Sequence, residues 1–447
     1  MRLLAAFLLA VILQAQGAFL VKPYLQLGDA PRPAAQERLD LLWHTEDRDG
    51  AWTVEVQGAQ RWDAQAPPTF RRLEAPPLPA HRIYRVTLRN LQPGARVPYR
   101  VRLNGALVFE AEAQTRRPGS HRMIVFGDAA NGSPEQAAIA QAVAAQQPDA
   151  VFIAGDLVYG RGRAAEYRAH FFPVYNSEAV PLMRRVPFLG VPGNHDMPFA
   201  KWPDASAYFA YWSLPLNGPA LKRGESNATP VTAGVHDAMV AASGPAFPRM
   251  ASYSFEWGEV HWTVLDSNLY ADWESPTLKA WLEADLQAAK GATWRVVALH
   301  HPLFHSSVSH SEDQWMRPIS PILEKYGVDL VFAGHVHNYQ RTAPLRFSPT
   351  KRGPRGQPMA GTFRVDEAFD GRTITRAKGI IHLVTGAGGA ELYDPWQTDA
   401  KASWQPWTRT FISDKHSFTV MDVEARKLRL RQLDAEGHEL DAIVLTK

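Results

Sequence analysis

Cysteine is absent from all 447 residues. Disulfides, thiolate metal sites and a cysteine-borne lipid anchor are therefore excluded, and the folded chain must rely on its core. Charge of one sign is also lacking, because 48 Lys+Arg against 45 Asp+Glu leave a net charge of only +3. That balance gives no strong steering toward nucleic acid or an anionic membrane, so neither is an expected partner. Long apolar runs are missing too. Leu3 to Leu13 is wholly apolar but too short to cross a bilayer comfortably, and no later segment is long enough, so no membrane span is expected. With Arg2 before it and Ala15-Gln16-Gly17 after it as a small-x-small site, it reads as a secretory signal peptide over residues 1–18. The expected location is accordingly exported, periplasmic or secreted. Internal repeats, low-complexity tracts and coiled-coil heptads are not found.

What remains divides near residue 117. Residues 19–117 carry a β pattern without helices. Leu39 to Trp43, Trp52 to Val56, Ile83 to Leu88 and Tyr99 to Leu103 are short strand candidates separated by turn residues. Pro93-Gly94 forms a corner between two alternating strands. The segment resembles a fibronectin type III-like sandwich, with Val97 where such domains often keep a tyrosine. It has no clustered histidines and only scattered acids, so it reads as a packing or positioning module. Arg116-Arg117-Pro118-Gly119 has the composition of a linker.

From residue 118 to 447 the pattern becomes strand, loop, helix. Met123 to Phe126 runs into Gly127-Asp128, and Glu135 to Gln147 is helical, with Ser133 as N-cap and Pro134 in the first turn. Ala150 to Ala154 leads to Gly155-Asp156-Leu157-Val158-Tyr159. The Asp156 carboxylate has two oxygens and can bridge two ions, and the Tyr159 phenol can bind a strongly Lewis-acidic ion as phenolate. Val186 to Val191 leads to Gly193-Asn194-His195-Asp196, Arg295 to Leu299 to His300-His301-Pro302, and Val328 to Ala333 to Gly334-His335-Val336-His337. In an extended segment His335 and His337 point the same way. A sheet whose strand ends all deliver such groups to one edge builds a polynuclear metal site there.

This ordered set resembles the metallophosphoesterases and, within them, the purple acid phosphatases. Many metallophosphoesterases keep a histidine two residues after the first aspartate; Ala130 stands there instead, while Tyr159 occupies the place the purple branch uses. The resemblance implies an α/β four-layer (α-β-β-α) catalytic domain over residues 118–447. It implies that Asp128, Tyr159 and His337 bind Fe(III), that Asn194, His300 and His335 bind a divalent partner (Fe, Zn or Mn), and that Asp156 bridges both. His300 is selected over His301 because the family ligand lies two residues before a proline. His195 and His310 take the catalytic, substrate-facing positions, with Asn194 also on the substrate and Asp196 as an orienter of His195. Ser309 stands where plant-type enzymes have a further histidine, so leaving-group contacts are expected to differ. Such a centre hydrolyses phosphate monoesters, with metal-bound hydroxide attacking phosphorus in line and an acidic optimum. A phosphodiesterase or nucleotidase using the same ions is the alternative, and a non-catalytic phosphate-binding surface protein the minor one.

Other stretches carry less. Tyr208, Phe209, Tyr211 and Trp212 read as core, His236 as solvated, and Asn227-Ala228-Thr229 as a glycosylation sequon. Ser348 to Gln357 reads as a basic surface loop, Arg341 as structural, and Ser417 to Leu445 as a closing hairpin or pair of strands that turns at Ala435-Glu436-Gly437.

Overall fold

The computed structural model describes residues 17–197, 206–220, 243–313, 315–351 and 360–447, with positions 237, 240 and 241 between them. The expected signal segment up to Gln16, the Asn227 sequon, His236 and residues 352–357 of the basic loop lie outside the described residues.

The N-terminal strands pack as two sheets. β1 (Val21–Gln26), β2 (Glu37–Glu46), β5 (Thr69–Ala75) and β6 (Leu78–Leu91) face β3 (Trp52–Gln57), β4 (Trp62–Ala64), β7 (Arg96–Leu103) and β8 (Ala106–Gln114). Alternation explains the packing: Val54 and Val56, then Tyr99 and Val101, turn inward against Leu39, Leu41, Trp43 and Val86. β1 carries Pro23, and its pairing with β2 shifts register between Val21 and Tyr24, which accounts for its weak strand signature.

β1 also pairs in parallel with β11 (Phe188–Gly190), Gln26 opposite Phe188. The N-terminal strands β1, β2, β5 and β6 thereby extend a ten-stranded sheet whose other members are β9 (His121–Phe126), β10 (Ala150–Ile153), β21 (Ser417–Glu424), β22 (Lys427–Asp434) and β23 (Glu439–Thr446). The segment after residue 115 is pinned, not loose as its composition suggests. The Arg116 guanidinium is buried against Glu37 at 2.8 Å and donates to the Ala30 carbonyl, also at 2.8 Å. The chain's end is a three-strand meander instead of one hairpin, with a first turn at Ala425 and a second at 435–438.

A second, seven-stranded sheet is built from β12 (Tyr253–Trp257), β13 (Val260–Leu265), β14 (Trp294–Leu299), β15 (Leu330–Ala333), β16 (Tyr339–Thr342), β19 (Ile381–Thr385) and β20 (Thr408–Ile412). β17 (Leu345–Lys351) and β18 (Ala360–Val365) pair apart as a hairpin, so Ser348 to Lys351 belong to a strand and not to a loop. The two large sheets meet through aromatic rings: Phe152 of β10 stacks on Trp262 of β13 with centroids 5.5 Å apart. Helices cover the outer faces. α1 (Pro134–Ala145) buries Ile139, Ala140 and Val143, and its N-cap Ser133 accepts the Gln136 N–H. α2 (Pro276–Ala288) presents Leu278, Leu282 and Leu286 on one stripe, beside α3 (Ser320–Lys325).

Candidate metal centre

β9, β10 and β11 are mutually parallel, as are β13, β14, β15 and β19. The carboxyl ends of β9, β10, β11, β14 and β15 therefore open on one rim, and the loops there are tied to each other. The Asp128 N–H donates to the Gly155 carbonyl at 3.0 Å, and the Gly334 N–H to that of His300 at 3.0 Å. Asp128, Asp156 and His335 all have left-handed backbones, with φ of 60°, 47° and 66°. Such conformations cost non-glycine residues energy and collect where geometry serves function. His335 and His337 reach the centre from this tight turn, not from the extended segment their spacing suggests, because the Val336 N–H folds back onto the Gly334 carbonyl. Glycine is needed at position 155, where φ is +85° and a Cβ would lie 2.3 Å from His300 Nδ1.

The donors form two groups with Asp156 between them; one oxygen or nitrogen each from Asp128, Asp156 and His300 lies within 4.8 Å of the others. On one side the Tyr159 hydroxyl is 3.2 Å from Asp128 Oδ1 and 2.7 Å from His337 Nε2. On the other, Asn194 Oδ1 is 3.0 Å from both His300 Nε2 and His335 Nδ1. The outer nitrogen of each imidazole already donates: His300 Nδ1 to the Ala154 carbonyl (2.9 Å), His337 Nδ1 to the Glu391 carbonyl (2.6 Å) and His335 Nε2 to Asp313 (3.0 Å). Imidazoles fastened at the back in this way turn lone pairs toward a common centre, which is the habit of metal-ligating histidine. The residues present thus fit a pair of cations, with hard oxygen donors collected around Tyr159 and mixed nitrogen and oxygen donors around Asn194.

Protonation states agree with that fit. Burial and then the Asp128 and Asp156 carboxylates push the Tyr159 phenol well above its usual value, so it ionises only with a cation beside it. Burial opposes a charge on His300, but Asp156, Asp128 and the Ala154 carbonyl together outweigh it and raise the ring to about 9. Burial likewise opposes ionisation of Asp156, and the His300 cation more than compensates, holding that carboxyl below its ordinary range. Without a metal, a proton on His300 occupies the charge-balancing role.

His195 stands at the mouth with its Nδ1 donating to the Gly160 carbonyl at 3.2 Å, its ring 4.7 Å from that of Tyr159 and its Nε2 4.0 Å from Asp156 Oδ2. Asp196 does not orient it. That buried carboxylate accepts instead the backbone N–H groups of Leu157, Val158 and Gly193, because the Gly193–Asp196 turn points it back into the Asp156 loop. His310, with φ of 61°, sits 4.6 Å from the His335 ring. Ser309 is drawn away from the mouth: its N–H and hydroxyl both donate to Asp394, at 3.0 and 2.9 Å. His301 bonds through Nδ1 to Ser267 at 2.9 Å. Arg341 grips Asp441 with two nitrogens, a structural contact, and Tyr208, Phe209, Tyr211 and Trp212 are buried.

Two site residues escaped the sequence reading. Asp313 touches both His310 and His335; its only signal was a carboxylate three residues beyond a candidate histidine. Tyr393 lies flat on His337, centroids 4.0 Å apart and planes 11° from parallel. No spacing rule could have found it.

Residues 121–339 match the family Calcineurin-like phosphoesterase, and the chain carries a calcineurin-like phosphoesterase domain. Within that family its relatives bear the name purple acid phosphatase or acid phosphatase. It is 23% identical over 391 residues to "Acid phosphatase type 7" of Mus musculus, covering 81% of this chain and 76% of that one. It is 28% identical over 291 residues to "Purple acid phosphatase 23" of Arabidopsis thaliana, 58% and 57% of the two chains. "Probable inactive purple acid phosphatase 1" of the same plant matches at 25% over 354 residues, 72% of this chain. The chain spans about half the length of that relative (51%) and of "Probable inactive purple acid phosphatase 27" (49%). The purple acid phosphatase PPD1 from yellow lupin seeds superposes with a TM-score of 0.66 at 17% identity, over 95% of this chain and 74% of that one. PhoD superposes with a TM-score of 0.59 at 12% identity, over 96% and 89%. These two likenesses establish the metallophosphoesterase fold.

Proposed function

We propose that the protein is an exported acid phosphatase that hydrolyses phosphate monoesters at an Fe(III)–divalent centre. The observation that carries the reading is the single carboxylate, Asp156, lying between an oxygen-rich donor group with a phenol and a nitrogen-containing one. Asp128, Tyr159 and His337 would hold the ferric ion, Asn194, His300 and His335 the divalent one, and Asp156 both. When bound, such a pair supplies Lewis acidity, setting positive charge against phosphoryl oxygens and lowering the pKa of water.

The chain's own residues do the rest. The buried Tyr159 phenol, raised by desolvation and two carboxylates, turns into a strong anionic donor only beside a trivalent charge. His195 keeps Nε2 toward the site because Nδ1 is committed to Gly160. His310 keeps Nε2 free because Nδ1 is committed to Asp313. Both are set to orient the ester and, in the imidazolium form, to give the Nε2 proton to the departing alkoxide, typically worth about 10²–10⁴-fold. Three relatives have the word inactive in their names, which favours a non-catalytic reading. Against it, every ligand position here bears a donor of the required type.

The test is metal analysis of protein loaded with iron and zinc, with turnover of a nitrophenyl phosphate monoester and its bis-ester from acid to neutral pH. Two ions per chain and a monoester preference in acid are expected. A bis-ester preference would move the reading to a phosphodiesterase, and metal without turnover to a phosphate-binding protein.

A further inference from the structure

One oxygen of Asp313 serves two histidines. Oδ2 accepts from His335 Nε2 at 3.0 Å and from His310 Nδ1 at 2.7 Å, with the two rings 4.6 Å apart. A neutral imidazole has one N–H. Spending that of His335 on Asp313 turns Nδ1, as a lone pair, toward Asn194 Oδ1. Fixing His310 Nδ1–H on the same oxygen turns Nε2 toward the mouth, where the imidazolium form of the ring carries the proton that a departing alkoxide would take. The backbone alone does not favour this pose, since His310 has φ of 61°. An exposed aspartate three residues from a histidine would by itself be of little consequence. What changes its weight is the second partner: His335 is buried, with 9% of its side chain exposed, and belongs to the cation-facing group.

We propose that Asp313 is a positioning residue that sets the tautomer of the candidate metal ligand His335 and the aim of the candidate acid His310. This inference rests on the phosphatase reading for its His310 half, whereas its His335 half requires only that the site holds a divalent ion. An arrangement in which one carboxylate couples ion binding to leaving-group protonation makes a specific demand on substrates. Esters of poor leaving groups need the proton from His310, and esters of good leaving groups do not.

Two measurements on full-length Asp313→Asn test it. The first is divalent-ion affinity by competition with a chelator, without substrate; loss of the carboxylate should weaken it about 10–100-fold. The second is the ratio of kcat on an alkyl phosphate to kcat on nitrophenyl phosphate, which should fall by about 10-fold or more. His310→Asn separates the two arms, since it should lower the ratio and leave ion affinity as in the parent protein. Unchanged affinity in Asp313→Asn, or an unchanged alkyl-to-aryl ratio, overturns the proposal. If the parent protein hydrolyses neither ester, the phosphatase reading fails while the affinity arm still decides the tie between Asp313 and His335.

Discussion

Asp196 Oδ2 accepts the backbone N–H of Leu157 at 3.0 Å, so the loop after β11 is stapled to the loop after β10. The same oxygen takes the Gly193 N–H at 2.8 Å and its partner oxygen the Val158 N–H at 3.2 Å. Burial and the nearby Asp156 carboxylate push this acid upward, and the Gly193 and Leu157 donors resist that shift. Asp196→Ala would leave three buried N–H groups without acceptors and is expected to cost about 3 kcal/mol or more. Asp196→Asn should cost less, because an amide oxygen can still take two of them while its NH₂ faces the Val158 donor. Urea unfolding of the two variants checks the order. An orienter of His195 would instead alter turnover and leave stability unchanged.

Gly193 lies so close to Asp156 that a Cβ there would meet Asp156 Oδ1 at 2.1 Å and its backbone nitrogen at 2.3 Å. Gly193→Ala must displace the carboxylate assigned to both ions. Metal content should fall from two ions toward none, read by atomic emission after desalting. Gly437→Ala is the control: it has nothing within 4 Å but a φ of +88°, so it should cost only about 1 kcal/mol with metal content unchanged.

How much of this could be read beforehand follows from the range of each interaction. Asp128, Asp156, Asn194, His300 and His335 each follow a short apolar run, and such a run ending in polar residues is a local signal. The ends of β9, β10, β11, β14 and β15 were legible for that reason. Asp196 was seen but misassigned, since its partners sit in another loop. The parallel pairing of β1 with β11 through Gln26 and Phe188 had no signature either. Parallel pairing between distant segments depends on which edges meet in three dimensions, and Pro23 weakened the strand pattern further. Tyr393 belongs with these: it meets His337 only because the segment after β19 folds back, its N–H donating to the His337 carbonyl at 3.1 Å.

Tyr159→Phe removes the phenol oxygen and keeps the ring that packs 4.7 Å from His195. If the oxygen-rich group holds Fe(III), the parent protein loaded with iron should show a broad visible charge-transfer band and the variant should lack it. A band of equal intensity in both would assign it to something other than this phenol. Iron affinity should also drop, because a hard anionic donor is lost.

His300, raised to about 9 by Asp156 against the cost of burial, keeps its extra proton at neutral pH when no metal is bound. An ion using Nε2 must displace that proton, so metal binding should release about one proton per chain from this ring. Below about 9 the apparent divalent-ion affinity should fall by about tenfold per pH unit from this group alone, and above it should level off. Calorimetry in buffers of different ionisation enthalpy counts the protons. Zero release at neutral pH would mean that His300 is already neutral in the empty protein.

His382 on β19 is buried, its ring 4.8 Å from Phe304, and burial followed by Arg317 lowers it to about 3. His305 is lowered to about 3 as well, chiefly by burial. The unfolded chain protonates such rings near 6.5 and the folded chain only near 3, so the unfolded state binds more protons between those values. Each ring's contribution is therefore complete above about 6.5 and is lost as pH falls toward 3, at up to about 1.4 kcal/mol per pH unit. An enzyme working in acid would operate on this slope. His382→Phe keeps an aromatic ring and removes one titration, so its melting temperature should decline less steeply from neutral to acid pH than that of the parent protein. Parallel melting curves would show that His382 is not neutral in the fold.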